Sequence, residues 1–261
     1  MEQQVHLLRP YKCQLGLSWI LVIICILRTE LIIELCTGLM VLHLELSSPA
    51  LQVYRLIERI FVSRSVLGSP GSTATQLASP SGLVRNATTG DLYIADTSNH
   101  RIVYWLSGAT SGTVVAGGNG AGTGSTQLFS PYSLAFDAVT NSLIIVNYSA
   151  HTVVRWVLGA TSWTLLAGVT GTSGSTSTLL SNPLSVVLDL YGNMYVSDTQ
   201  NHRIQFFPFG QSNGTTIAGT TGSWGANASQ LRLPYWAIVD SQLNLYVADT
   251  YNNRIQKFFR Y

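Results

Sequence analysis

The chain has 261 residues, of which 46% are hydrophobic and only 10% charged, with a formal net charge of +2. This composition excludes a disordered tail and a strongly basic nucleic-acid binder, and the length suffices to bury a substantial core. All five Glu lie at or before Glu58, and from Ile60 onward there are seven Asp, eight Arg and one Lys.

The first element in chain order is an apolar segment, 1–49. Residues 13–27 (CQLGLSWILVIICIL) follow Arg9 and Lys12, which is the basic flank of a secretory signal or signal anchor. This run is shorter than the roughly 20 apolar residues of a bilayer span. Residues 31–44 resume the apolar course, interrupted by Glu34, so membrane contact is expected through 13–45. No small-residue cleavage site follows, which favours a retained anchor over a cleaved signal peptide; a buried helix or a mistaken gene start is the alternative. Cys13, Cys25 and Cys36 all fall here, leaving the rest of the chain without a thiol for a disulfide or a Cys-type zinc site. Residues 50–63 read as a linker that could be helical, and 64–261 as the folded domain.

That domain is periodic. DTSNHRI begins at Asp96, NYSAHTV at Asn147, DTQNHRI at Asp198 and DTYNNRI at Asp249, each 51 residues after the last. A fixed period of this size marks one repeated supersecondary unit. Within each unit a Pro (Pro80, Pro131, Pro183, Pro234) precedes a short apolar run that ends at Asn86, Asp137, Asp189 or Asp240 in a turn. A β-prone run follows (LYIAD, LIIVN, MYVSD, LYVAD), then the DTxNHRI string as a second turn, then a third run such as RIVYWL, and a fourth ending in VVAG, LLAG or TIAG. Four short strands per period make one propeller blade. The Gly/Ser/Thr-rich segments between units are crossings to the next inner strand; none has phosphate-loop spacing. The last unit stops after its third strand, and SVLG at 65–68 aligns with the fourth strands, so an N-terminal strand is expected to close the last of four blades. The fold class is thus all-β, a four-bladed β-propeller preceded by an apolar N-terminal helix.

Pro-x-x-apolar followed by GNMYVSDTQNHRIQFF, with AG-rich loops between units, resembles the NHL repeat over about residues 65–261. The resemblance implies a β-propeller, a fold that members of the family usually build from six blades. It includes RNA-binding, protein-binding and lyase members, so it implies no single activity.

Asp96 with Arg101, Asp198 with Arg203 and Asp249 with Arg254 flank the second turn, and where Asn147 replaces the Asp, Thr152 replaces the Arg. Their joint loss predicts a structural Asp–Arg pair in each of the other turns, oriented by bidentate bonding. His100, His151 and His202 recur at the same spacing, but strands about 4.8 Å apart set such turns too widely round a ring to share a metal at about 2 Å. They are expected as exposed turn residues, with no metal or cofactor.

The inner strands offer no His or Glu, so no catalytic residue is assigned. Nucleic acid is not an expected partner, because three of the eight Arg are committed to turns. The positive feature is aromatic: Tyr132, Tyr235 and Trp236 enter inner strands, while Tyr148, Gln200 and Tyr251 sit at second-turn tips, and both loop sets emerge on one face. Rigid aromatics with few charges anchor interfaces and stack on sugars; the bland alternative for Trp236 is a channel plug. Sequons at Asn86, Asn147, Asn213 and Asn227 agree with a secretory route. The expectation is a non-catalytic binding module, membrane-anchored with its propeller extracellular or lumenal, or secreted, that recognises a protein or glycan. The alternatives are a propeller enzyme of lyase or esterase type and a cytosolic NHL scaffold, RNA binding included.

Overall fold

The computed structural model describes residues 70–259. The expected anchor, the linker at 50–63 and the closing strand at 65–68 lie outside them. Among the described residues no helix is long and apolar enough to cross a membrane.

Four antiparallel sheets follow one another along the chain, each pairing strands in sequence order. Blade 1 comprises β1 (Pro80–Arg85), β2 (Leu92–Asp96), β3 (Arg101–Trp105) and β4 (Thr113–Gly117). Blade 2 comprises β5 (Pro131–Asp137), β6 (Ser142–Asn147), β7 (Thr152–Val157) and β8 (Thr164–Gly168). Blade 3 comprises β9 (Ser185–Leu188), β10 (Met194–Asp198), β11 (Arg203–Phe207) and β12 (Thr215–Gly219), and blade 4 comprises β13 (Trp236–Val239), β14 (Leu245–Asp249) and β15 (Arg254–Phe258). The fold is the expected four-bladed, all-β propeller.

The second strand of each blade explains why the units stack. In β2, β6 and β10 every residue is buried, and their period-2 alternation sends side chains into two different cores. Leu143 and Ile145 pack with Tyr93, Ile102 and Trp156 between blades 1 and 2. Ile144 and Val146 point the other way and pack with Val196 and Phe207 between blades 2 and 3. Tyr195, Ile204, Leu245 and Val247 fill the third inter-blade core. Each fully buried aliphatic side chain contributes roughly 1.5–3 kcal/mol, so stacking rather than local propensity holds the blades.

Glycine is required at two kinds of junction, of which the first recurs. Gly117, Gly168 and Gly219, the last residues of the VVAG, LLAG and TIAG strands, have φ of +68°, +86° and +84°, and a Cβ there would strike the carbonyl oxygens of His100, His151 and His202. At Gly82 the inner strand of blade 1 passes so close to blade 2 that a Cβ would lie 2.6 Å from the Tyr132 carbonyl oxygen.

The repeated turn is a clamp. Asp198 Oδ1 accepts from the Ser181 amide at 2.7 Å, and its Oδ2 accepts from Asn201 Nδ2 and Arg203 Nε, both at 2.8 Å. The other Arg203 nitrogens donate to the carbonyls of Ser175, Thr176 and Leu179 in the crossing loop. Asp96 with Arg101 and Asp249 with Arg254 repeat the arrangement. The pairs exist as expected, but they are not bidentate: a single Nε–H serves the carboxylate, because the rest of the guanidinium is needed to satisfy loop carbonyls. Burial pushes the Asp198 carboxyl above its ordinary value, outweighing the donors around it. In blade 2, Asn147 Oδ1 still accepts from the Phe129 amide at 2.6 Å, while Asn147 Nδ2 and Thr152 Oγ1 are buried without partners. The Trp163 amide donates to the Ser125 carbonyl there, as Gly112 and Gly214 do to their loops in blades 1 and 3, and blade 2 adds the Trp163 indole N–H, which donates to the Gln127 carbonyl at 2.8 Å.

Candidate functional site

Strand direction decides which loops share a face. Each inner strand starts on the face where the second turn and the crossing loop emerge, and the other two turns lie on the opposite face. The loops before β5, β9 and β13 and the turns after β2, β6, β10 and β14 therefore converge round the centre.

They enclose a mouth pocket of about 340 Å³ to which all four blades contribute. Entry loops supply Tyr132, Leu184 and Tyr235, and turns supply Thr97, Tyr148, Thr199, Gln200 and Tyr251. Tyr132 and Tyr148 approach with ring centroids 5.8 Å apart and planes inclined at 37°; Tyr235 and Tyr251 stand at 6.1 Å and 52°. Burial, then the hydrogen bond with Tyr251, pushes the Tyr235 phenol up to about 12. Burial likewise raises Tyr132. Tyr132 and Tyr235 are therefore neutral phenols across the physiological range. Among the described residues no Asp, Glu, His, Lys or Arg lines this pocket.

Five of the six aromatic-face residues expected from the sequence, Tyr132, Tyr148, Gln200, Tyr235 and Tyr251, thus meet in one cavity. Trp236 does not line it. It opens β13 opposite Ala248 and is half-buried, in the position held by Gly82, Ser133 and Ser185 in the other blades. Besides Thr97, Leu184 and Thr199, sequence reasoning missed Ser130, Asn182 and Leu233, which also line the mouth. Each of these last three precedes an inner-strand Pro and has positive φ (52°, 45° and 46°), so the X-Pro step at the head of every unit was the available signal.

The recurring histidines are not free turn tips. His100, His151 and His202 adopt left-handed backbone at φ 53°, 60° and 58°, and each Nδ1 accepts the amide of the residue before the next blade's Pro: Ser130 at 3.0 Å, Asn182 at 3.1 Å and Leu233 at 3.2 Å. They are half-buried latches between blades, with the proton on Nε2. Burial lowers the His151 and His202 values. Among the described residues no three His, Cys, Asp or Glu side chains gather as metal ligands.

Asn213 and Asn227 are exposed, and Asn86 is half-buried in a turn on the face opposite the mouth. Asn147 corrects the sequence expectation. It is fully buried, with its Oδ1 committed to the Phe129 amide, so the folded blade has no room for a glycan there.

The NHL-repeat family model matches residues 77–103 and 237–258. No curated relative matches the chain by sequence. Among solved structures it is similar to an auxiliary nutrient binding protein from Bacteroides thetaiotaomicron, at 18% identity and a TM-score of 0.54 over 67% of this chain and 46% of that one. It is also similar to a streptogramin B lyase, at 11% and 0.52 over 73% and 54%. A gluconolactonase from Xanthomonas campestris matches at 15% and 0.54 over 72% and 60%. The chain spans about half the length of the first of these structures, and at such identities the likeness shows the fold alone. The chain is thus a four-bladed β-propeller whose first and last blades match the NHL repeat.

Proposed function

We propose that the propeller is a non-catalytic binding module that holds a protein or glycan ligand at its tyrosine-lined mouth. The observation that carries this reading is the pocket itself: a concave site with four rigid phenols, several hydroxyl and amide groups, and no charged lining residue. Lyase or esterase chemistry commonly draws on a carboxylate, an imidazole or a metal ligand beside the bound molecule, and among the described residues the lining offers no such side chain. The fold carries both roles among the solved neighbours, one described as a nutrient binding protein and others as a lyase and a gluconolactonase. The chemistry of the site, rather than the fold, therefore supports the binding reading.

A display site outside the cytosol, through the apolar segment at 13–45, belongs to the same proposal. Exposed sequons at Asn213 and Asn227 would carry glycans there, and a glycosidase-dependent mobility shift after expression in a secretory host tests it. For the binding itself, the full chain is screened against glycan and peptide arrays beside Tyr132→Ala, Tyr235→Ala and, on the opposite face, Tyr191→Ala. At least one mouth substitution should weaken binding by about 30-fold, the scale of an interface anchor near 2 kcal/mol, with Tyr191→Ala unchanged. Turnover of the retained molecule that survives both mouth substitutions would overturn the reading.

A further inference from the structure

The mouth pocket has groups left over after the fold has used what it needs. The two threonine hydroxyls are consumed: Thr97 Oγ1 donates to the Pro131 carbonyl at 2.8 Å, and Thr199 Oγ1 to the Pro234 carbonyl at 2.7 Å. Asn182 Nδ2 reaches the Tyr148 carbonyl only at 3.4 Å. By contrast, the phenol oxygens of Tyr132 and Tyr148 and the Gln200 side-chain amide have no hydrogen-bond partner among the described residues. These groups can donate or accept, and they stand beside aromatic rings that are tilted apart rather than closed face to face.

Each class of ligand asks something different of such a site. An anion needs Arg or Lys, preferably in bidentate geometry, and none lines the pocket. A quaternary ammonium suits an aromatic cage, but would leave the spare phenols and amide without partners, at a cost when they are desolvated. An extended peptide is taken up along a free strand edge or, when proline-rich, in an open aromatic-lined groove, whereas the mouth is a pocket walled by turns and strand-entry loops. A ring with one apolar face and a rim of neutral hydroxyls matches both halves of the lining. From this complementarity we infer that the mouth takes an uncharged saccharide, with a sugar face against the Tyr132–Tyr148 pair and its hydroxyls on Tyr132, Tyr148 and Gln200. The inference rests on the binding-module reading and narrows it to one ligand class.

The test is calorimetric titration of the full chain with neutral gluco-, galacto- and manno-oligosaccharides, the same sugars capped with sialic acid, a choline salt and a peptide pool. Tyr132→Phe and Gln200→Ala run alongside, with melting temperatures as the folding control. The inference expects a neutral saccharide to bind best, the sialylated form to bind worse, and Tyr132→Phe to weaken binding about fivefold to tenfold, as for one lost hydrogen bond, at unchanged melting temperature. Peptide binding that weakens in Tyr132→Phe or Gln200→Ala, with no saccharide bound, would overturn the saccharide inference and leave the binding module standing; choline binding in place of saccharide would overturn the inference as well. Saccharide binding unchanged in both variants would overturn the mouth as its site. Absence of binding by every probe would overturn both readings.

Discussion

Thr152 and Arg203 hold the same position in successive blades, and the difference between them isolates what the repeated string contributes. Arg203 is buried, paired with Asp198 and bonded to three loop carbonyls. Removing it strands a buried carboxylate, so Arg203→Ala should cost about 3 kcal/mol, read as a shift in the urea midpoint at constant slope. Thr152→Val removes a hydroxyl that has no partner, and should be neutral or stabilising. Equal losses at the two positions would show that the clamp is not the function of the string.

The histidine latches make a second prediction at this scale. Each Nδ1 must be unprotonated to accept its amide, and burial lowers the His151 and His202 values below the ordinary 6.5, with Asp198 partly offsetting this at His151 and Arg232 adding to it at His202. A depressed folded value means that the unfolded chain takes up protons first. The latch contribution is therefore complete above about pH 6.5 and is lost as pH falls through the folded values. The melting temperature should drop on acidification below pH 6.5, and this drop should shrink in a His151→Asn, His202→Asn double variant. Asn already occupies the fourth position at Asn253, with the same left-handed backbone.

At the scale of the element, Gly82 shows how tightly the inner strands approach. Gly82→Ala would press a Cβ against the backbone oxygen of Tyr132, and overpacking of this kind costs about 1–3 kcal/mol, measurable as a lower melting temperature. Strand order, turn positions and the Asp–Arg pairing were legible because all recur with one period, and blade 2 supplied the internal control by losing Asp and Arg together. The destinations of the bonds were not. Asp198 reaches a backbone amide 17 residues upstream, and Arg203 reaches carbonyls 24 to 28 residues away. Backbone partners leave no mark on side-chain sequence, so the expected bidentate pair became a three-way clamp and the expected free histidines became latches. The mouth was partly legible for the same reason. Aromatic side chains at known loop positions could be assigned to one face by strand direction, whereas the left-handed residues before each Pro contribute mainly through backbone shape.

At the scale of the whole molecule, three inter-blade cores repeat one another, and the last blade departs from them. Ile102, Val153 and Ile204 are fully buried against the following blade, whereas Ile255, their counterpart in β15, is 55% exposed. Ile204→Ala should accordingly cost about 2–4 kcal/mol and Ile255→Ala less than about 1 kcal/mol, both measured by chemical denaturation. A cost at Ile255 equal to that at Ile204 would mean that this face is covered in solution.

The mouth draws its residues from all four blades, so its geometry depends on the stacking as a whole. Hydrogen exchange of the full chain, with and without the neutral oligosaccharide that binds best, most directly tests the claim that this mouth is the recognition site. Protection should rise at the entry loops around 130–132, 182–184 and 233–235 and at the turns around 148–151 and 199–202. The hairpin turns at 86–91, 137–142, 189–193 and 240–244 on the opposite face should exchange unchanged. Protection confined to those opposite turns, with the mouth unaltered, would contradict the account.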